Sequence, residues 1–378
     1  MSGGFIILDM EDKLNIGITH GDINGISYEL IMKLNSENRL SELCTPVIYG
    51  SSKVAAYYRK TLNMENINFN SIQNHHEINA KRCNILNCIN DEIKVEMGHP
   101  TRESEEAAML AVKLAFDDLD SNKLDTVVMA PLSRESFHFE RASSFLDYLS
   151  DRYRSEGIFP IFLGEHLKIG LATFSIPLAK VAEVLSGEAI YGKLKLYHET
   201  LRRDFTIIKP KIAVLSYNSL VGNMGRLGKE EEEIIKPAIE NARESGIMAL
   251  GPYDAATLFS SGDYKNFDAV FAMYYEQALL PFKMLEGIGG AVYIAGLPVV
   301  CTTTLHGAGF DMAGRGTADE SGLRNALYMG MDIHRSRNIY DEASKNPLPH
   351  YEIGGNINES DMNVEQIAGL NEEVADTH

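Results

Sequence analysis

The feature that most restricts this chain is a repeated alternation between short apolar runs and longer segments whose apolar residues recur at helical spacing. The runs are "LNIGIT", "TPVIYG", "DTVVMAP", "FPIFLG", "KIGLATF", "PKIAVLSY", "FDAVFAMYY" and "GAVYIAG". Most lack the strict apolar and polar alternation of a half-exposed strand, so they need cover on both faces. Strands of that kind separated by helices predict an α/β fold on a mixed, mostly parallel sheet. One helix is expected from about Ile26 to Leu34, and a second in "SSKVAAYYRKTL" with Ser51 or Ser52 as N-cap. A third, "ESEEAAMLAVKLAFDDL", leads into a strand that stops at Pro131.

At 378 residues and 44% hydrophobic content, the chain can bury more than one core. Glycine and proline punctuation near Pro131 and again at Gly287 to Gly290 marks the ends of an inserted segment. Residues 1–130 with 286–350 are expected to form one α/β domain, 131–285 a second, and 351–378 a loose acidic tail.

A formal net charge of -18 argues against nucleic acid or an anionic membrane as partner, because binding phosphates depends on Lys and Arg that acids outnumber here. Four cysteines, Cys44, Cys83, Cys88 and Cys301, show no CxxC spacing, so neither a zinc ribbon nor a disulfide framework is indicated. A reducing cytoplasm is the expected compartment. "MSGGFIILDMEDK" has no basic n-region and makes a poor signal peptide, and no run of 18 apolar residues offers a membrane span.

In sheets of this class ligands bind beyond the carboxyl ends of the strands, which makes the loops after Thr19, Ala130, Ser216, Met273 and Thr302 the candidate site. "THGDINGISYEL" puts Gly21 and Gly25 between a strand and a helix, as an anion cradle or simply as tight-turn glycines. His20 and Asp22 there read as surface-loop residues before site residues. "NSLVGNMGRLGKEEEE" lacks the Gly-Lys-Ser/Thr ending of a nucleotide phosphate loop, and its acids suit a helix N-terminus. "AMYYEQALLPFK" offers Tyr274, Tyr275, Glu276, Gln277 and Lys283 as a polar cluster or as an ordinary helix start. "TTTLHGAGFDMAGRGTAD" is the most suggestive: His306, its glycines, Asp311 and Arg315 could take the polar groups of a cofactor, or could only shape a loop.

These segments, with "VVMAPLSRES" and "GIMALGPYDAATLF", occur in the order and spacing of the 4-hydroxythreonine-4-phosphate dehydrogenase family of vitamin B6 biosynthesis, which the chain resembles over residues 14 to 350. The resemblance implies the isocitrate/isopropylmalate dehydrogenase-like fold, two α/β/α domains with a cleft between them, the inserted 131–285 segment serving for homodimerisation. It implies NAD-dependent oxidation of a small phosphorylated hydroxy-amino acid, followed by loss of carbon dioxide, with a divalent metal polarising the substrate oxygen.

Residue by residue, the likeness also implies departures. The three metal-binding histidines of the family correspond here to Phe145 in "SFLD", Leu220 in "NSLVG" and Tyr275 in "YYEQ". Phe and Leu have no lone pair for a cation, so a divalent metal is not expected. An oxygen-only magnesium site from Asp147, Asn223 and Glu276 is the weaker alternative. The substrate positions become Ser133, Arg134, Lys283, Val292 and Cys301; an Asn is replaced by Val292 and a fork-shaped Arg by Cys301. Ser175 in "FSIPL" replaces a further site histidine. His306, Gly307, Gly314 and Asp319 fall in a well-kept segment and are the positions for NAD. Two readings follow: a divergent family member with lost or altered metal-dependent oxidation, or a non-catalytic binding or regulatory homologue, homodimeric or paired with an active paralogue.

Overall fold

The apolar runs pair side by side in a single sheet. The structure is a computed structural model that describes residues 13–36, 40–90, 92–133, 144–155 and 157–346. Its strands are β1 (Asn15–Thr19), β2 (Thr45–Gly50), β3 (Asn70–Ile72), β4 (Asn84–Asn87), β5 (Thr126–Met129), β6 (Phe159–Leu163), β7 (Lys168–Leu171), β8 (Lys211–Leu215), β9 (Met248–Tyr253), β10 (Ala269–Ala272), β11 (Ala291–Ala295) and β12 (Cys301–Thr304). The helices are α1 (Ser27–Asn35), α2 (Leu40–Leu43), α3 (Ser52–Thr61), α4 (Arg102–Asp120), α5 (Phe145–Tyr153), α6 (Val181–Val184), α7 (Gly187–Arg203), α8 (Lys236–Glu244), α9 (Ala255–Ser261), α10 (Tyr275–Glu286) and α11 (Ser321–Ser344).

The strand order is β3-β4-β2-β1-β5-β12-β11-β6-β7-β10-β8-β9. From β3 to β12 the neighbours are parallel. Then β11 runs against both β12 and β6, and β6 runs against β7. Beyond β7 the strands are parallel again. Following these directions along the ladder, β7, β10, β8 and β9 point opposite to β1, β5 and β12. The ladder between residues 1–130 and 131–285 is carried by β12, β11 and β6.

Burial explains the apolar runs. Every residue of β2, β5, β6, β10 and β11 is buried, as a strand covered on both faces requires. The helices start where their caps allow. Ser51 is the N-cap of α3, its hydroxyl accepting from the N–H groups of Lys53 and Val54. Thr101 and Ser104 close a reciprocal capping box on α4, whose inner face buries Ala108, Ala111, Val112, Ala115 and Phe116. The acidic run before α8 does more than the expected helix start. Glu231–Ile235 forms a single π turn, and Glu231 is buried at 1% exposure.

Contacts set residues 341–378 apart as a unit of their own, of which the described part, 341–346, is the end of α11 and two following residues. The expected acidic tail, 351–378, lies outside the described residues.

Candidate functional site

Loops leaving β1, β5 and β12 meet at one edge of the sheet. The N–H of Asp22 donates to Pro131 O at 3.0 Å, the hydroxyl of Ser27 donates to the same oxygen at 2.8 Å, and the N–H of Ile26 donates to Ala308 O at 2.8 Å. The glycines of "GDINGIS" make this closeness possible. A Cβ on Gly25 would stand 2.3 Å from Ala308 O, and Gly21, at φ +68°, has Pro131 O 2.4 Å from where its Cβ would be. Both glycines therefore serve the approach of loop to loop.

His20 and Asp22 are fully buried, which corrects the expectation of surface-loop roles. The Nε2 of His20 lies 3.3 Å from Ala107 O, and burial lowers its pKa to about 4, so the ring is neutral. The carboxylate of Asp22 accepts from the N–H of Asn24 at 2.8 Å and from the hydroxyl of Ser104 at 3.3 Å, while burial raises its pKa. Together these residues fix the start of α1 against α4.

The "HGAGFDMAGRGTAD" loop is held from α1 by a pair that sequence reading passed over. Glu29, fully buried, accepts from the N–H groups of Gly316 at 3.2 Å and Ala318 at 2.7 Å. Lys33, bound to Glu29 at 2.9 Å, donates to the carbonyls of Gly316 and Ala318. The available signal was a Glu and a Lys four apart on one helix, which by itself reads as ordinary surface support.

Four positions in or next to this loop were the candidates for NAD, and the structure gives them different work. His306 sits next to the first turn of α11: a Cβ on Gly322 would be 3.3 Å from its Nε2. That Nε2 is buried without a hydrogen-bond partner, and burial, followed by the nearby Lys283 charge, lowers the pKa of the ring. Gly307 is exposed, with Leu132 O the nearest atom to an added Cβ at 3.8 Å. Gly314, at φ +74°, has Met97 Sδ 2.6 Å from where its Cβ would lie, and so packs. Asp319, just before α11, accepts from the hydroxyl of Ser321 and from its N–H at 2.8 Å, and these bonds lower its pKa. An orphaned ring nitrogen beside an open glycine fits a polar ligand group at His306 and Gly307.

The positions expected to touch substrate separate. Ser133 is buried just after β5, and Lys283 is exposed near the end of α10, close to His306. Arg134 lies outside the described residues. Val292 and Cys301 belong to the hydrophobic core at 7% and 0% exposure, where they pack.

The three positions corresponding to metal ligands are each occupied by a group with another role. The Phe145 ring stacks on Tyr148 at 6.2 Å and meets Phe116 of α4 at 6.2 Å. Tyr275 stands edge-on to Phe162 at 5.7 Å and to Phe174 at 5.5 Å. Leu220 is 66% exposed and has φ +52°, within a left-handed turn that continues through Val221, Gly222, Asn223 and Met224. Glu231 and Glu230 hold this turn through Asn218, and the N–H of Leu220 donates to Asp254 at 3.1 Å. Phe and Leu carry no donor atom, so at Phe145 and Leu220, two of the positions that the resemblance matches to metal ligands, nothing is offered to a divalent cation. Among the described residues no three His, Cys, Asp or Glu side chains are grouped to hold a metal.

The five loops expected to form one site thus divide by strand direction. Those after Thr19, Ala130 and Thr302, the last of whose strands runs on to Thr304, leave one end of the strands, and those after Ser216 and Met273 leave the other. Gln277 ties the second group, donating to Ser216 O at 2.6 Å and accepting from the N–H of Met273 at 2.8 Å. Lys283 returns to the first group because α10 runs back along the sheet.

A mixed sheet of this order, with glycine-bearing loops gathered beyond β1, β5 and β12, defines an α/β protein of the kind found among metabolic dehydrogenases. The structure of a 4-hydroxythreonine-4-phosphate dehydrogenase from Klebsiella pneumoniae superposes with a TM-score of 0.72 at 25% identity, covering 85% of this chain and 99% of that one. The sequence pattern of the family described as "Pyridoxal phosphate biosynthetic protein PdxA" matches residues 42–330. A 4-hydroxythreonine-4-phosphate dehydrogenase from Bacteroides thetaiotaomicron is 41% identical over 341 residues, 89% of this chain and 93% of its own length. Another from Desulforapulum autotrophicum is 30% identical over 321 residues, 83% and 94% of the two chains. The chain belongs to the PdxA family. Among its described residues no helix is long and apolar enough to cross a membrane.

Proposed function

We propose that this protein is a remodelled member of the family that still binds a small phosphorylated hydroxy acid and NAD, but does not perform the metal-dependent oxidation. The observation that carries this reading is the donor set. Phe145 and Tyr275 are engaged in aromatic packing, and Leu220 offers only an aliphatic side chain. Losing a Lewis acid worth roughly 4 kcal/mol at the transition state slows turnover by about a thousandfold.

The loop at His306 and Gly307 is the proposed seat of the dinucleotide, which when bound supplies a hydride acceptor. The chain's own contribution there is a neutral imidazole with a free Nε2, a nearby Lys283 ammonium for an anionic group, and a loop clamped by Glu29 and Lys33. A homodimer is the proposed assembly, supported by Leu280, Met284, Leu285 and Ile288, exposed at 66%, 77%, 46% and 60% on and just after α10.

The test is metal analysis of the purified protein together with NADH formation from 4-phosphohydroxy-L-threonine, with and without added zinc or magnesium. The expected result is no stoichiometric metal and no turnover above background, with NAD still protecting against thermal unfolding. Tight metal with brisk turnover overturns the proposal.

A further inference from the structure

A hollow outside the loop proposed to seat the dinucleotide lies between the β6–β7 turn, the end of α7 and the middle of α11. Its volume is about 230 Å³, room for seven or eight waters at about 30 Å³ each. Phe205, Met329 and Ile333 give it an apolar wall, and Lys168, Asp204 and Asp332 give it charge.

Lys168 is the group without an explanation. It is half-buried at the start of β7, its ammonium lies 5.6 Å from the centre of the Phe205 ring, and it makes no hydrogen bond or ion pair with any described residue. The nearby carboxylates Asp268 and Glu286 act on it only through space and are bonded elsewhere, Asp268 accepting from the N–H of Lys211 at 2.8 Å. Glu286 accepts from the N–H groups of Glu165 at 2.9 Å and His166 at 3.0 Å. Asp204, 3% exposed, accepts from Arg337 at 2.7 Å and from the hydroxyl of Tyr293 at 2.6 Å. A partly desolvated cation left in this way costs stability unless something pairs with it, and burial lowers the pKa of Lys168 accordingly. At the rim stands Asp332, 75% exposed, its only ion-pair contact among the described residues a loose one to Arg335 at 3.8 Å.

Lys168 and Asp332 oppose each other in sign, and Arg337 neutralises Asp204, so the lining is balanced. A ligand bearing both charges and an apolar body matches all three surfaces at once, whereas a simple anion would leave Asp332 unmatched. We propose that this hollow binds a small aliphatic α-amino acid, with its carboxylate on Lys168, its ammonium at Asp332 and its side chain against Phe205, Met329 and Ile333. Because α11 begins beside His306 and carries Met329, Asp332 and Ile333, an occupant would bear on the same helix that borders the proposed dinucleotide loop.

Isothermal titration of the full chain with L-leucine and L-methionine tests this, against 4-methylpentanoate, which lacks the ammonium, and 3-methylbutylamine, which lacks the carboxylate. The expected result is saturable binding of at least one amino acid with Kd of about 1 mM or tighter, and binding about tenfold weaker for each single-charge analogue. Lys168→Met and Asp332→Asn, each checked for an unchanged circular dichroism spectrum, should weaken binding by about tenfold. The proposal fails if no aliphatic amino acid gives saturable heat, if 4-methylpentanoate binds as well as leucine, or if both folded variants bind like the wild type. These readouts involve neither NAD nor metal.

Discussion

The carboxylate of Glu29 accepts the backbone N–H of Ala318 at 2.7 Å, joining residues 289 apart in sequence by a fully buried charge-assisted bond. One helix near the start of the chain thereby holds the glycine-rich loop near its end.

Glu29→Ala should accordingly be costly. It strands two loop N–H groups and removes the counter-charge of Lys33, for an expected loss of roughly 3 kcal/mol. Urea unfolding measures the loss, and hydrogen exchange at Gly316 and Ala318 should speed up ahead of the rest of the chain.

The buried Asp204, Arg337 and Tyr293 group behaves differently from a surface ion pair. Asp204→Asn leaves Arg337 short of its counter-charge, with an expected cost of roughly 3 to 5 kcal/mol. Tyr293→Phe removes only the hydroxyl that bridges the two, and should cost about 1 to 2 kcal/mol. Equal costs for the two variants in chemical denaturation would contradict this ordering.

His20 gives stability a dependence on pH of known sign. Its folded pKa of about 4 lies below the ordinary 6.5, so between these values the unfolded chain binds the proton and the folded chain does not. The contribution is complete above pH 6.5 and falls away as the pH drops toward 4, about 3 kcal/mol in all. Between pH 7 and pH 5 the wild type should lose about 2 kcal/mol more than His20→Gln. Parallel stability curves for the two proteins would refute it.

The thiols should be inert in the native state. Burial pushes Cys44 and Cys88 up to about 12 and raises Cys83 and Cys301 well above the ordinary value. Ellman's reagent at pH 8 should therefore react slowly with the folded protein, and release four equivalents only after denaturation.

The sheet was legible in the sequence because burial on both faces leaves a local mark: "TPVIYG" and "FPIFLG" became β2 and β6 without revision. Ser51 as a cap was legible for the same reason, since capping is decided within three residues. That the sheet is mixed and mostly parallel was legible too, but which strands run against the rest was not. Whether a loop leaves one edge or the other depends on pairings such as β11 against β6, which join distant segments. Depth also escaped the reading. His20 and Asp22 are polar and flanked by glycines, yet α4 and the loop after β5 cover them entirely. The clamp of Glu29 on Ala318 left no local trace beyond an unremarkable Glu and Lys spacing.

Hydrogen bonds run unbroken from β5 through β12 and β11 to β6. Halves joined through paired strands share their twist across the seam. Any closing of one upon the other must be absorbed as added torsion spread over neighbouring strands, which favours small, springy adjustments over wide excursions.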